Sequence, residues 1–120
     1  MSTRKRRSPC PVACTLDVLG DRWTLLVIRD LMAGKSQYHE FQASPEGIAS
    51  NILAARLEQL QEAGLVSTRP STQRAGALEY ELTKKGWSLR PVLRAVATWG
   101  LANIRGTEVR IALRPHAVTP

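Results

Sequence analysis

The clearest pattern of apolar and polar positions lies between Ile48 and Thr83. Leu53, Leu57 and Leu60 fall at i, i+4 and i+7 with Ile52 beside them, which predicts a helix with one buried face. Ser50 is a good N-cap and Gly64 stands where a helix closes on a left-handed residue, so the predicted helix covers residues 50–63. Directly after it the period shortens. Leu65–Arg69 and Leu78–Leu82 read as two short strands, joined by a polar segment rich in Pro, Ser, Gln, Arg and Gly.

The same reading extends to both sides. Pro11–Leu19 fits a first helix with Val12, Leu16 and Leu19 as its apolar stripe, ended by Gly20. Asp21 is placed to cap a second helix, Arg22–Met32, whose Trp23, Leu26, Val27 and Leu31 mark a core face that Gly34 stops. Tyr38–Ala43 makes a third, short helix with Tyr38 and Phe41 inward, and Ser44-Pro45-Glu46-Gly47 is a turn. Beyond the strands, Thr83 caps a last helix running to about Ile104, with Leu89, Val92, Leu93, Val96 and Trp99 along one face. Val109–Leu113 alternates and is a candidate edge strand, whereas Pro115 and Pro120 mark a loose end. A short helix, a tight turn, a longer helix and a hairpin predict a winged helix-turn-helix, mainly α with a small β-hairpin wing. The first and last helices carry more apolar surface than one small domain covers. A homodimer through these N- and C-terminal helices is therefore expected, with Leu16, Leu89, Leu93, Val96 and Trp99 as interface candidates. The expected layout is a flexible basic arm over 1–9, a DNA-binding and dimerisation domain over 10–104, and a tail over 105–120.

Composition narrows the function. At 120 residues and 43% hydrophobic content the chain holds one modest aliphatic core. No apolar run is long enough to span a bilayer, and the basic start lacks an apolar signal core, so the expected location is the cytoplasm, with no membrane partner and with Cys10 and Cys14 as thiols. A net charge of +7 favours a polyanionic partner, yet Arg4, Lys5, Arg6 and Arg7 supply four of the seven units. The arm is as readily a solubilising tail as a phosphate contact.

Double-stranded DNA is the polyanion that a helix and wing would meet. Ser50, Asn51, Ala54 and Glu58 form a small, polar face near the start of the 50–63 helix. Asn51 is able to pair with adenine and Ala54 to touch a thymine methyl. Arg56 adjoins the apolar seam and reads more as a structural or phosphate-facing arginine than as a base reader. On the wing, Arg69, Gln73 and Arg74 are candidates for the backbone or a minor groove. Cys10, Cys14, His39 and His116 match no finger or ribbon spacing, so neither metal nor cofactor is expected. The chain has no nucleophile elbow, no phosphate-cradling glycine loop and no paired His/Asp set, and an enzyme is not expected. The serious rival is a winged helix used as a protein-interaction module without sequence-specific DNA binding.

The ordered motifs carry a resemblance. Cys10-Pro11-Val12 is followed by Gly20-Asp21-Arg22-Trp23-Thr24-Leu25-Leu26, Tyr38-His39-Glu40-Phe41, Gly47-Ile48, Asn51-Ile52-Leu53 and Arg56-Leu57. Then come Gly64-Leu65-Val66, Tyr80-Glu81-Leu82-Thr83-Lys84-Lys85-Gly86, Pro91-Val92-Leu93 and Trp99. In this set, which covers residues 10 to about 100, the chain resembles the HxlR family of bacterial winged-helix transcriptional regulators, relatives of the MarR type. The resemblance implies a homodimeric regulator, expected to be a repressor, on palindromic or nearly palindromic DNA, with dimerisation through the first and last helices. Members of the family often carry arginine before the third helix, where this chain has Ser36 and Gln37. Lys35 is the remaining cation there and joins the DNA candidates. In several HxlR-type regulators a cysteine matching Cys10 senses oxidants or electrophiles. Cys10 lies just before a helix and a few residues after four cations, an electropositive setting of the kind reactive thiols occupy. It is therefore a candidate redox switch answering an oxidant or small-molecule inducer, against the alternative of an interface cysteine with no signalling role. Cys14, one turn on, reads as packing or as a resolving thiol.

Overall fold

The computed structural model describes residues 6–115. The elements follow in the order α1 (Pro11–Leu19), α2 (Thr24–Met32), α3 (Tyr38–Gln42), α4 (Ser50–Glu62), β1 (Val66–Pro70), β2 (Leu78–Leu82), α5 (Lys84–Trp87) and α6 (Arg90–Asn103). The fold is mainly helical with one antiparallel hairpin, the winged helix-turn-helix that the apolar pattern predicts. Among the described residues no helix is long and apolar enough to cross a membrane.

The core forms where the apolar faces of α2, α3 and α4 converge under the hairpin. Leu53, Leu57 and Leu60 of α4 are fully buried, together with Ile28 and Met32 of α2 and Phe41 of α3. Burial of each such leucine contributes about 1.5–3 kcal/mol, so the α4 seam is a main source of stability. Gly64, at φ 75°, carries the chain out of α4 in a left-handed conformation that a residue with a Cβ adopts at a cost. The hairpin pairs Val66 with Leu82 and Pro70 with Leu78, which turns Val66 and Glu79 inward. The Tyr80 N–H donates to the Ser36 carbonyl at 2.8 Å, joining the wing to the segment before α3.

Several boundaries differ from expectation, each for a local reason. The second helix starts at Thr24, two residues later than Arg22, and the Asp21 carboxylate accepts from the N–H groups of Trp23 and Thr24 at its entry. Ser50 is not the N-cap of α4. Ala49 holds the extended cap position, and the Ser50 hydroxyl instead accepts a bond from Gln42 Nε2 at 2.6 Å. The first strand is shifted by one residue, since Leu65 is spent in the core at the end of α4.

The expected single helix from Thr83 to Ile104 is two helices. Thr83 does cap the first, its hydroxyl accepting from the Gly86 N–H at 3.1 Å. Pro91 then interrupts the ladder, because it has no N–H to give the Trp87 carbonyl and its ring crowds that same carbonyl. The chain turns through Ser88 and Leu89 and restarts at Arg90. Val109–Leu113 forms no strand. It runs back across the domain, and the Arg114 N–H donates to the Met32 carbonyl at 2.8 Å.

Gly86 is the tightest point of this scaffold: a Cβ there would overlap the Leu65 carbonyl oxygen and press on Leu82. Gly86→Ala is expected to cost about 1–3 kcal/mol as a shift in the urea midpoint with little change in slope. An unchanged midpoint would mean that α5 does not pack on the hairpin as described.

Candidate nucleic-acid interface

α4 exposes Asn51, Ala54 and Glu58 on the face opposite its leucine seam, with Ser50 at its first turn. The seam dictates which residues these are, since a helix buried at 53, 57 and 60 leaves 51, 54 and 58 on the far side. The Gln42–Ser50 bond joins the end of α3 to the start of α4, holding the two helices of the pair together at one edge of that face.

The turn between them is anchored from α2. The Arg29 guanidinium makes a two-pronged pair with Glu46, at 2.9 and 2.8 Å, and also bonds Asp30 Oδ1. The hydrogen bond from Arg29 is the largest cause holding the Glu46 carboxyl below its ordinary range. Asp30 is buried, and its Oδ2 accepts from the Ser44 hydroxyl at 2.6 Å. Lys35 Nζ also points into this cluster, bonding Ser44 Oγ and lying 3.9 Å from Asp30 Oδ2. A residue expected to face phosphate is thus folded inward.

α3 is shaped by a capping box that the apolar pattern did not reveal. The Gln37 side chain accepts from the Glu40 N–H, while the Glu40 carboxylate accepts from the N–H of Gln37 and that of Ser36. Those backbone bonds, Ser36 first, hold the Glu40 carboxyl low despite partial burial. A Gln three places before a Glu was the legible signal.

The wing is built around a buried carboxylate. Glu79, 3% exposed, accepts from Arg69 Nε at 3.2 Å, Ser71 Oγ at 3.2 Å and Gln37 Nε2 at 3.3 Å. Gln37 Nε2 also donates to Gln73 Oε1 at 2.8 Å, and Arg69 pairs further with Glu81. Arg69 and Gln73 are therefore engaged within the protein. Arg74, at the exposed tip, opens onto a groove shared with Gln37, His39, Gln42 and Tyr80.

Arg56 faces away from the exposed front of α4, bonding Asp21 Oδ1 at 3.1 Å and Gln59 at 3.3 Å. Burial would raise the Asp21 carboxyl. Bonds from the Thr24 hydroxyl and the Trp23 and Thr24 N–H groups, with the Arg56 charge, outweigh it and hold the group below 3.8. Cys10 is exposed at the cap position of α1, and Cys14 is half-buried with its thiol toward the Ser8 carbonyl at 3.2 Å. Arg7 pairs with Asp17 at 2.7 Å. Arg4 and Lys5 of the arm, and His116, lie outside the described residues. Of the interface candidates, Leu89 and Leu93 are partly buried against the core, whereas Leu16, Val96 and Trp99 are 52%, 51% and 63% exposed.

Comparison with known proteins bears on the fold that carries this arrangement. A family model described as HxlR-like helix-turn-helix matches residues 18–108. The HTH-type transcriptional regulator YybR of Bacillus subtilis, itself uncharacterised, is 32% identical over 107 residues, covering 86% of each chain. The solved structure of PA1607 superposes with a TM-score of 0.79 at 39% identity, covering 96% of this chain and 81% of that one. The redox regulator HypR in its oxidised form gives 0.71 at 31% identity, covering 83% of this chain and all of HypR.

The depressed Asp21 carboxyl sets a pH signature. Its stabilisation is fully present above the unfolded value near 3.8 and is lost as the pH falls through the lower folded value. Asp21→Asn removes the charge at the start of α2 and should lower stability by roughly 0.3–1 kcal/mol at neutral pH. The gap from wild type should narrow below pH 3.8 in urea titrations. A gap constant down to pH 3 would remove the depressed Asp21 carboxyl from the account.

Proposed function

The chain belongs to the HxlR-like helix-turn-helix family of transcriptional regulators, which bind DNA and are not enzymes, and we propose that it works as a homodimeric repressor on a palindromic operator in the cytoplasm. Residues 10–104 supply both reading and dimerisation. Each subunit inserts α4 into a major groove, with half-sites one or more helical turns apart, on the order of 34 Å per turn. Asn51 and Ala54 read base edges, Ser50 lies at the groove wall, and Arg74 meets the backbone from the wing. Lys35, Arg56, Arg69 and Gln73 act through the elements they hold, because each is bonded within the protein.

The observation that carries the dimeric reading is the uncovered apolar surface of α1 and α6. Val12, Leu16, Val96 and Trp99 all face solvent, and no residue of α6 is buried. A second copy covering these faces places two α4 helices on one duplex. Cys10 lies at the head of α1, where a change at the dimer interface is transmitted to their separation. HypR is a redox regulator and supports an oxidant-responsive role here. Peroxide would convert two Cys10 thiols, one from each subunit, to a disulfide with release of two waters.

Selection on random DNA, with and without peroxide, tests the reading. Wild-type protein should enrich an inverted repeat, peroxide should change its affinity, and Cys10→Ser should abolish that response. Enrichment without any sequence preference would favour a protein-interaction module. An equal response of wild type and Cys10→Ser would remove the Cys10 switch. Arg74→Ala should weaken binding evenly across sequences and lower the salt slope by about one per subunit; anisotropy titrations over a salt series give both quantities.

A further inference from the structure

After α6 the chain turns at Gly106 and returns over the domain to the end of α2. Its docking there is specific. Leu113 packs against the core, and the Arg114 N–H closes on the Met32 carbonyl. The Arg114 side chain lies across Gly34, so that a Cβ at Gly34 would overlap the guanidinium. Gly34 thus serves two ends: it takes φ 99° to leave α2, and it leaves room for the arginine.

Arg114 is exposed and pairs with no carboxylate among the described residues. Its neighbour Lys35 is turned inward to Ser44 and Asp30. The outward-facing cation at the entrance to α3 is therefore supplied from the far end of the chain. In a helix-turn-helix the first helix of the pair crosses the DNA backbone while the second enters the groove. α3 is that first helix, and residues 34–37 lead into it. A guanidinium presents a rigid fork that fits phosphate oxygens.

We infer that Arg114 is a DNA-phosphate contact, carried to the edge of the helix-turn-helix by the docked C-terminal segment. This rests on the DNA-binding reading given above. It replaces at this corner the cation that Ser36 and Gln37 do not provide. A purely structural arginine would instead serve the carbonyl end of α2, where a positive charge is favoured by the helix dipole. The two roles separate by measurement.

Anisotropy titrations over a potassium chloride series, on a random-sequence duplex and on a duplex selected by the wild-type protein, would compare Arg114→Ala, Arg114→Lys and Arg110→Ala. Arg110 is the control, a cation of the same segment that pairs with Glu108. Arg114→Ala should weaken both duplexes alike and lower the slope by about two for a dimer, one phosphate per subunit. Arg114→Lys should keep most of the slope, and Arg110→Ala all of it. An unchanged slope with a lower melting temperature would assign Arg114 to capping α2 and overturn the inference. Equal losses in Arg114→Ala and Arg110→Ala would reduce it to bulk charge and overturn it as well. Wild-type protein that binds neither duplex would defeat the DNA-binding reading itself, a result distinct from either of these.

Discussion

The rotation of α4 about its own axis is settled by three leucines. With Leu53, Leu57 and Leu60 sealed against α2 and the hairpin, every other residue of the helix has its direction assigned. Asn51 and Ala54 face outward, while Arg56 is turned sideways to Asp21. A turn of one residue, about 100°, would take apolar side chains out of the core at about 1.5–3 kcal/mol apiece. The outward face of α4 is thus a by-product of packing, and its accuracy is that of the core.

Around that seam, polar groups hold the attached parts at fixed angles. Asp30 and Glu79 are both buried carboxylates, and both accept hydrogen bonds from other segments. Asp30 fixes the turn before α4, and Glu79 fixes the wing to α3. A buried charge left without its partners is costly, so these links resist loosening in a way that apolar contacts alone would not. Arg29, Lys35, Arg56 and Arg69 are each bonded within the protein, to Asp30, Ser44, Asp21 and Glu79 respectively.

Much of this was legible from periodicity. The helix positions, the hairpin and the family resemblance follow from leucine spacing, glycine punctuation and an ordered set of motifs, because such features are local. What escaped was non-local. Nothing near Lys35 in the chain announces that Ser44 and Asp30 will capture it. Nothing near Arg114 announces that the return segment ends over Gly34. Glu79 lies in a strand with nothing local to mark it, and only the register Arg69↔Glu79, together with Gln37, makes it a hub. The Pro91 break was in plain sight, but the strong apolar stripe from Leu89 to Trp99 favoured an unbroken helix.

Under the proposed function, that break has a consequence for how operators diverge. α5 is locked to the hairpin at Gly86, whereas α6 leaves at an angle set by the short turn through Ser88 and Leu89. In the proposed dimer, base preference and half-site spacing are therefore written in different places. Substitutions near the joint would re-aim α6 and stretch or shorten the ruler between two reading heads while leaving the alphabet each head reads untouched. In that dimer, the joint offers a route to new genomic addresses that leaves the outward face of α4 unchanged.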